Sequence, residues 1–173
     1  MNRKTIIIIA VILFAIAGLF LAYLKLRPMV AFKIAAVKAL KKYSKEIVQN
    51  CERIFRMETA HFTSSQFKHT YSPGMEKFAS TFPYGWTTLN KVLWKDFPIY
   101  APVGTYTMPE NQTGITKTFL KFPTLTASVM TVCAFLDNNG NNPAAWYSKN
   151  LESQARYQKT LNGIIPKITN EVA

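Results

Sequence analysis

The chain is short of the residues that most active-site chemistry needs. Its 173 residues include two cysteines, two histidines and nine carboxylates. Cys51 and Cys133 form no C-x-x-C pair, which excludes a zinc ribbon, and neither has a histidine at a spacing known for thiol hydrolases. G-x-S-x-G, H-E-x-x-H and glycine-rich phosphate loops are absent, so the serine hydrolases, zincins and nucleotide-binding folds that use them are excluded. Glu58 and His61 form E-x-x-H, but that spacing serves paired metals only with a second copy and further glutamates on other helices. The sequence holds no second copy. Neither a metal nor another cofactor is expected.

One stretch lacks charge altogether. Thr5 to Leu24 reads "TIIIIAVILFAIAGLFLAYL". At about 1.5 Å per residue it is roughly 30 Å long as a helix, the thickness of a bilayer's hydrocarbon core. Arg3 and Lys4 before it would also suit a cleaved secretory signal. The run exceeds the usual apolar core of such signals, about 7–15 residues, and no A-x-A site precedes Lys25. Residues 1–24 are therefore expected to be an uncleaved anchor in the inner (cytoplasmic) membrane, with a transmembrane helix over 5–24. The lysines and arginine that follow the span mark the cytoplasmic side, which taken literally places the domain inside.

Acidic residues are scarce: 21 Lys and Arg against nine Asp and Glu give a net charge of +12, which points to an anionic partner. Much of the excess lies in residues 25–42, "KLRPMVAFKIAAVKALKK". A basic amphipathic segment beside a membrane reads as a binder of lipid headgroups. Downstream basic residues are scattered and form no reading motif, so no nucleic-acid partner is expected. Oligomeric state is not legible.

A soluble domain is expected over 43–173, long enough for a proper core. Ser44 suits a helix N-cap, with a helix running to Glu58 or Thr59. Residues 61–90 are rich in Ser, Thr, Gly, Pro and aromatics without sustained period, as in a long structured loop with short helical turns. Pro98 to Pro123 mixes β-branched and aromatic residues with turn formers, as a small hairpin does. Thr124 then caps a helix whose buried stripe is Leu125, Val129, Val132, Cys133 and Leu136, ended by Asn138-Asn139-Gly140. Asn142-Pro143 opens a short helix through Trp146 and Tyr147, and a last helix runs from Leu151 to Asn162, stopped by Gly163. The expected class is α+β, mostly α. Both cysteines fall on apolar helix faces, as two buried thiols or as one disulfide.

On the first helix, Ile47, Cys51, Ile54 and Phe55 share one face, and Glu58 continues it. A carboxylate on the core side loses solvation, which raises its pKa and keeps it protonated nearer neutrality. A protonated acid in an apolar cleft is what cleavage of a glycosidic bond requires. The bland alternative is a half-exposed Glu58 paired with Arg53, Arg56 or Lys68. Thr, Ser and Gln residues follow it, among them Ser64 and Gln66, and suit a sugar cleft; His61 is a loop hydrogen-bonder or lines the same cleft. Of the other carboxylates, Glu46 and Glu52 read as the polar side of the helix, and Glu76 and Asp96 as weaker candidates. Glu110, in "YTMPENQTG", is the candidate partner because a hairpin turn can carry it across a cleft from Glu58. Tyr84, Trp86 and Tyr106 are candidate stacking surfaces for sugar faces.

"IFRMETAHFTSSQF" resembles the A-L-E-[ST]-G-x-G-x-S-x-L/F segment of glucosaminidase-type peptidoglycan hydrolases, glycoside hydrolase family 73. "FLKFPTLTASVMTVCAFL" and "ARYQKTLNGI" are similar to two later stretches of that family, in the same order. Ala60 and Phe62 stand where the family has glycine, and Thr131 where an aspartate is expected; the N-x-F-G-I-K signature is not evident. The resemblance implies that Glu58 is the general acid, that Ser64 or Ser65 takes the later serine position, that Ser128 stands at the serine of the later helix, and that Tyr157 is the family's tyrosine. It also implies a lysozyme-like fold with a helical lobe and a small β-hairpin lobe, and hydrolysis of the β-1,4 bond between N-acetylglucosamine and N-acetylmuramic acid in peptidoglycan glycan strands. The alternative is a catalytically inactive, membrane-tethered glycan-binding or scaffold protein of a secretion or phage assembly.

Overall fold

The computed structural model describes residues 3–75, 94–109, 115–146 and 150–173. They include six α-helices and one two-stranded antiparallel sheet, so the α+β, mostly α class holds.

The first helix, α1 (Arg3–Ala39), is continuous through Pro28. Side chains of residues 3–10, 17 and 20–26 lie outside the described set, and among the described residues no helix is long and apolar enough to cross a membrane. The expected span at 5–24 thus remains a reading of the sequence. The segment 25–42 contributes to the packed core. Its apolar side, Phe32, Ala35, Ala36 and Ala39, is fully buried, against α4 (Leu125–Asn138) and α6 (Lys167–Val172). This half of α1 belongs to the core.

Ser44 caps α2 (Lys45–Glu58) by accepting from the Ile47 amide. Thr124 does the same for α4 through the Ala127 amide at 3.1 Å. Every residue of α4 from Ala127 to Leu136 is buried; a helix apolar all round belongs at a domain's centre. α1 and α2 pack on it. Cys51 and Cys133 meet at the α2–α4 contact as free, buried thiols, and the Cys51 thiol also donates to the Val129 carbonyl. Burial pushes the Cys51 thiol up, so it is no thiolate nucleophile.

Around this core lie α3 (Ser65–Thr70), the hairpin strands β1 (Gly104–Pro109) and β2 (Thr116–Lys121), a 3-10 turn at Pro143–Trp146, and α5 (Leu151–Asn162). Gly104 pairs with Lys121 and Pro109 with Thr116. The hairpin, the Thr124 cap, the Asn142-Pro143 turn and the last long helix fall where the sequence puts them. Tyr147 lies outside the described residues.

Two features depart from the sequence reading. Glu52, expected on the polar side of α2, is fully buried. Its carboxylate pairs with Arg56 Nε at 2.7 Å and accepts from the Ile168 amide, the Thr169 amide and the Thr169 hydroxyl at 2.7–3.0 Å. The helix it holds, α6, was not anticipated. Arg56 and Arg53 are accordingly not Glu58's partners: Arg53 binds the Ile164 carbonyl and Asn50.

Candidate functional site

Glu58 is the last residue of α2, so its position depends on how the helix stops. The Thr59 hydroxyl donates to the Phe55 carbonyl and accepts from the Phe62 amide at 2.8 Å, while the Thr63 and Ser64 amides both reach the Thr59 carbonyl. The chain reverses through three consecutive left-handed residues, Ala60 (φ 46°), His61 (φ 54°) and Phe62 (φ 70°). Such angles cost a side-chain-bearing residue roughly 1–2 kcal/mol each, so something must hold them. Phe62 supplies the anchor. Its buried ring sits 5.2 Å from Phe32 and 5.7 Å from Phe67, centroid to centroid.

The reversal leaves Glu58 facing two other parts of the chain. Oε1 accepts a hydrogen bond from the Tyr157 hydroxyl of α5 at 2.8 Å, across 99 residues of sequence. On the other side, a Cβ placed on Gly74 would stand 3.9 Å from Oε2. That is ordinary contact, so the φ of 87°, not lack of space, is what calls for glycine there. The Gly74 segment is tied to the hairpin: the Leu120 amide of β2 donates to the Met75 carbonyl and the Phe122 amide to the Thr70 carbonyl. The carboxyl therefore lies between α5 and the segment on which the hairpin docks.

Burial raises the Glu58 pKa above the ordinary carboxylate value, and the Tyr157 hydrogen bond, which favours the anion, opposes part of that rise. With Oε1 engaged by Tyr157, the acidic proton belongs on Oε2, facing Gly74.

The remaining expected residues fall into three groups. Ser64 caps α3 through the Phe67 amide, and Gln66 binds the Thr70 hydroxyl and the Ser72 carbonyl; both spend their polar groups inside the fold. Tyr106 of β1 stacks on His69 at 4.7 Å and 6°, and His61 is exposed on the left-handed turn. Glu110, Tyr84 and Trp86 lie outside the described residues. Ser128 is buried with no partner for its hydroxyl among the described residues. Thr131 accepts from Trp94 Nε1 at 3.2 Å inside the core, where an unpaired aspartate would be costly.

Sequence reasoning missed Gly74; the only signal was a Pro-Gly pair in a region without period. Among the described residues no group of three His, Cys, Asp or Glu side chains is placed to hold a metal ion. Compared with known proteins, the chain matches no family model, no curated protein and no solved structure.

Proposed function

We propose that the chain is a membrane-anchored peptidoglycan hydrolase of glucosaminidase type, with a lysozyme-like arrangement of lobes, in which Glu58 is the general acid. The observation that carries this reading is the Glu58 carboxyl itself: half-buried, raised in pKa, oriented by Tyr157 and set between α5 and the Gly74 segment. The left-handed angles of Ala60 and Phe62 add support. They stand where the resembling family has glycine, and glycine is what such angles favour.

In this mechanism Tyr157 fixes the rotamer of Glu58, and the proton on Oε2 passes to the glycosidic oxygen between N-acetylglucosamine and N-acetylmuramic acid. Glu110, which follows directly on β1, is the proposed second carboxylate, activating water or stabilising the oxocarbenium-like transition state. Tyr106, His61 and the Tyr84-Gly85-Trp86 stretch are proposed sugar contacts. Residues 5–24 anchor the chain in the cytoplasmic membrane, and the domain faces the periplasm or wall.

The test is reducing-end release from purified peptidoglycan by the full chain in detergent. Glu58→Gln should lower the rate about a hundredfold or more, the usual weight of general acid catalysis, with its circular dichroism unchanged. Undiminished release by that variant rejects the assignment. Wall binding by the unaltered chain without any release favours the inactive, glycan-binding alternative.

A further inference from the structure

The face of α1 opposite the core has no cover among the described residues. Phe32, Ala35, Ala36 and Ala39 point inward, whereas Val30, Ile34 and Val37 are 56, 63 and 44% exposed. Their spacing of four and three, continued by Arg27 and Lys41 at either end, is that of a helix-pairing seam. The flanks carry one sign of charge. From Arg27 to Lys42 the chain has Arg27, Lys33, Lys38, Lys41 and Lys42 and no acidic residue. Lys33 is paired with Glu171, and Lys38 and Lys42 lie over the Tyr100 and Phe97 rings. Arg27 and Lys41 are exposed at the two ends of the seam.

Two occupants are disfavoured. A second copy would set lysine against lysine along the same seam, and like charges at such flanks oppose pairing. Lipid is out of reach on the anchor reading, on which this step rests. At about 1.5 Å per residue from Leu24, Val30, Ile34 and Val37 stand about 9, 15 and 20 Å beyond the hydrocarbon core, while the headgroup layer is only about 5–8 Å thick on each side. We propose that the outer face of α1 docks an acidic amphipathic helix of a partner protein that leaves the membrane alongside it. Its apolar stripe covers Val30, Ile34 and Val37, and its Asp and Glu residues meet Arg27 and Lys41.

The test uses the full chain in nanodiscs of zwitterionic lipid. The probes are two synthetic helices with the same apolar stripe, one flanked by glutamates and one by lysines. The glutamate-flanked helix should bind, weaken as salt is raised, and lose about tenfold or more in affinity to Ile34→Glu, an exposed position whose change leaves the fold intact by circular dichroism. Equal binding of the two helices, or full binding to Ile34→Glu, overturns the proposal. So does a dimer of the full chain that Ile34→Glu dissociates, which assigns the face to a second copy. Quenching of a fluorophore on Ile34→Cys by brominated lipid assigns it to the bilayer and overturns the proposal as well. The anchor is read separately, by whether alkaline carbonate extracts the full chain from membranes.

Discussion

Ala60 holds a backbone angle that its methyl group resists, on an exposed turn where that methyl packs little. Glycine relieves the clash without emptying the core. Ala60→Gly should therefore raise unfolding stability by about 1 kcal/mol in urea titration; a loss would show that the methyl makes an interaction outside this account. Phe62, at a similar angle, is a different case, because its ring fills the Phe32–Phe67 cluster. At this scale Glu58 was legible, since it continues the face of Ile47, Cys51, Ile54 and Phe55. Glu52 is harder to place from sequence, although a signal exists: Val48, Glu52 and Phe55 also fall at spacings of four and three, and all three are buried. Its charge made the polar side look obvious, and only the partner 116 residues away, the Ile168 amide, shows otherwise.

Helices whose caps lie next to them in sequence could be located in advance; α6 could not. Pro166 at its start makes no side-chain cap. The orphaned amides of Ile168 and Thr169 are instead satisfied by Glu52, a cap supplied by another helix and invisible to local pattern. Glu52→Ala removes the counter-charge of buried Arg56 together with three acceptor contacts to α6. Breaking a buried pair in this way costs about 3–5 kcal/mol, so the variant should unfold at clearly lower urea with α6 released first. A loss under 1 kcal/mol would mean that water replaces the carboxylate and that α6 is not held by it. The hairpin, in contrast, was legible from its β-branched and aromatic residues flanking a turn, but its docking on the Gly74 segment was not, because backbone bonds from Leu120 and Phe122 leave no mark in side-chain pattern.

For the whole molecule, the basic segment after the apolar run is part of the packed core. A chain beginning at Tyr43 would lack Phe32, Ala35, Ala36 and Ala39, all fully buried. Losing one buried Phe alone costs about 3–5 kcal/mol, a large part of the roughly 5–15 kcal/mol that holds a domain together. Such a chain should show no cooperative thermal transition, whereas one beginning at Lys25 should melt cooperatively. The reverse result would remove α1 from the folding unit. Composition hid this because the same lysines serve a lipid surface and the solvated side of a core helix equally well.

On the proposed function Glu58 acts as a protonated acid whose pKa is set by burial against the Tyr157 hydrogen bond. Because only the protonated form donates, activity should be lost as pH rises through the Glu58 pKa, above the range of an ordinary glutamate. Removing the Tyr157 hydroxyl removes the contribution that lowers this pKa, so the basic limb should move to still higher pH. The most direct measurement is the pH–rate profile of reducing-end release from peptidoglycan for the unaltered chain and Tyr157→Phe. The basic limb should lie above the ordinary glutamate range and shift upward in the variant; a limb at the ordinary value, or one that Tyr157→Phe leaves in place or lowers, would rule out Glu58 as the protonated acid held by Tyr157.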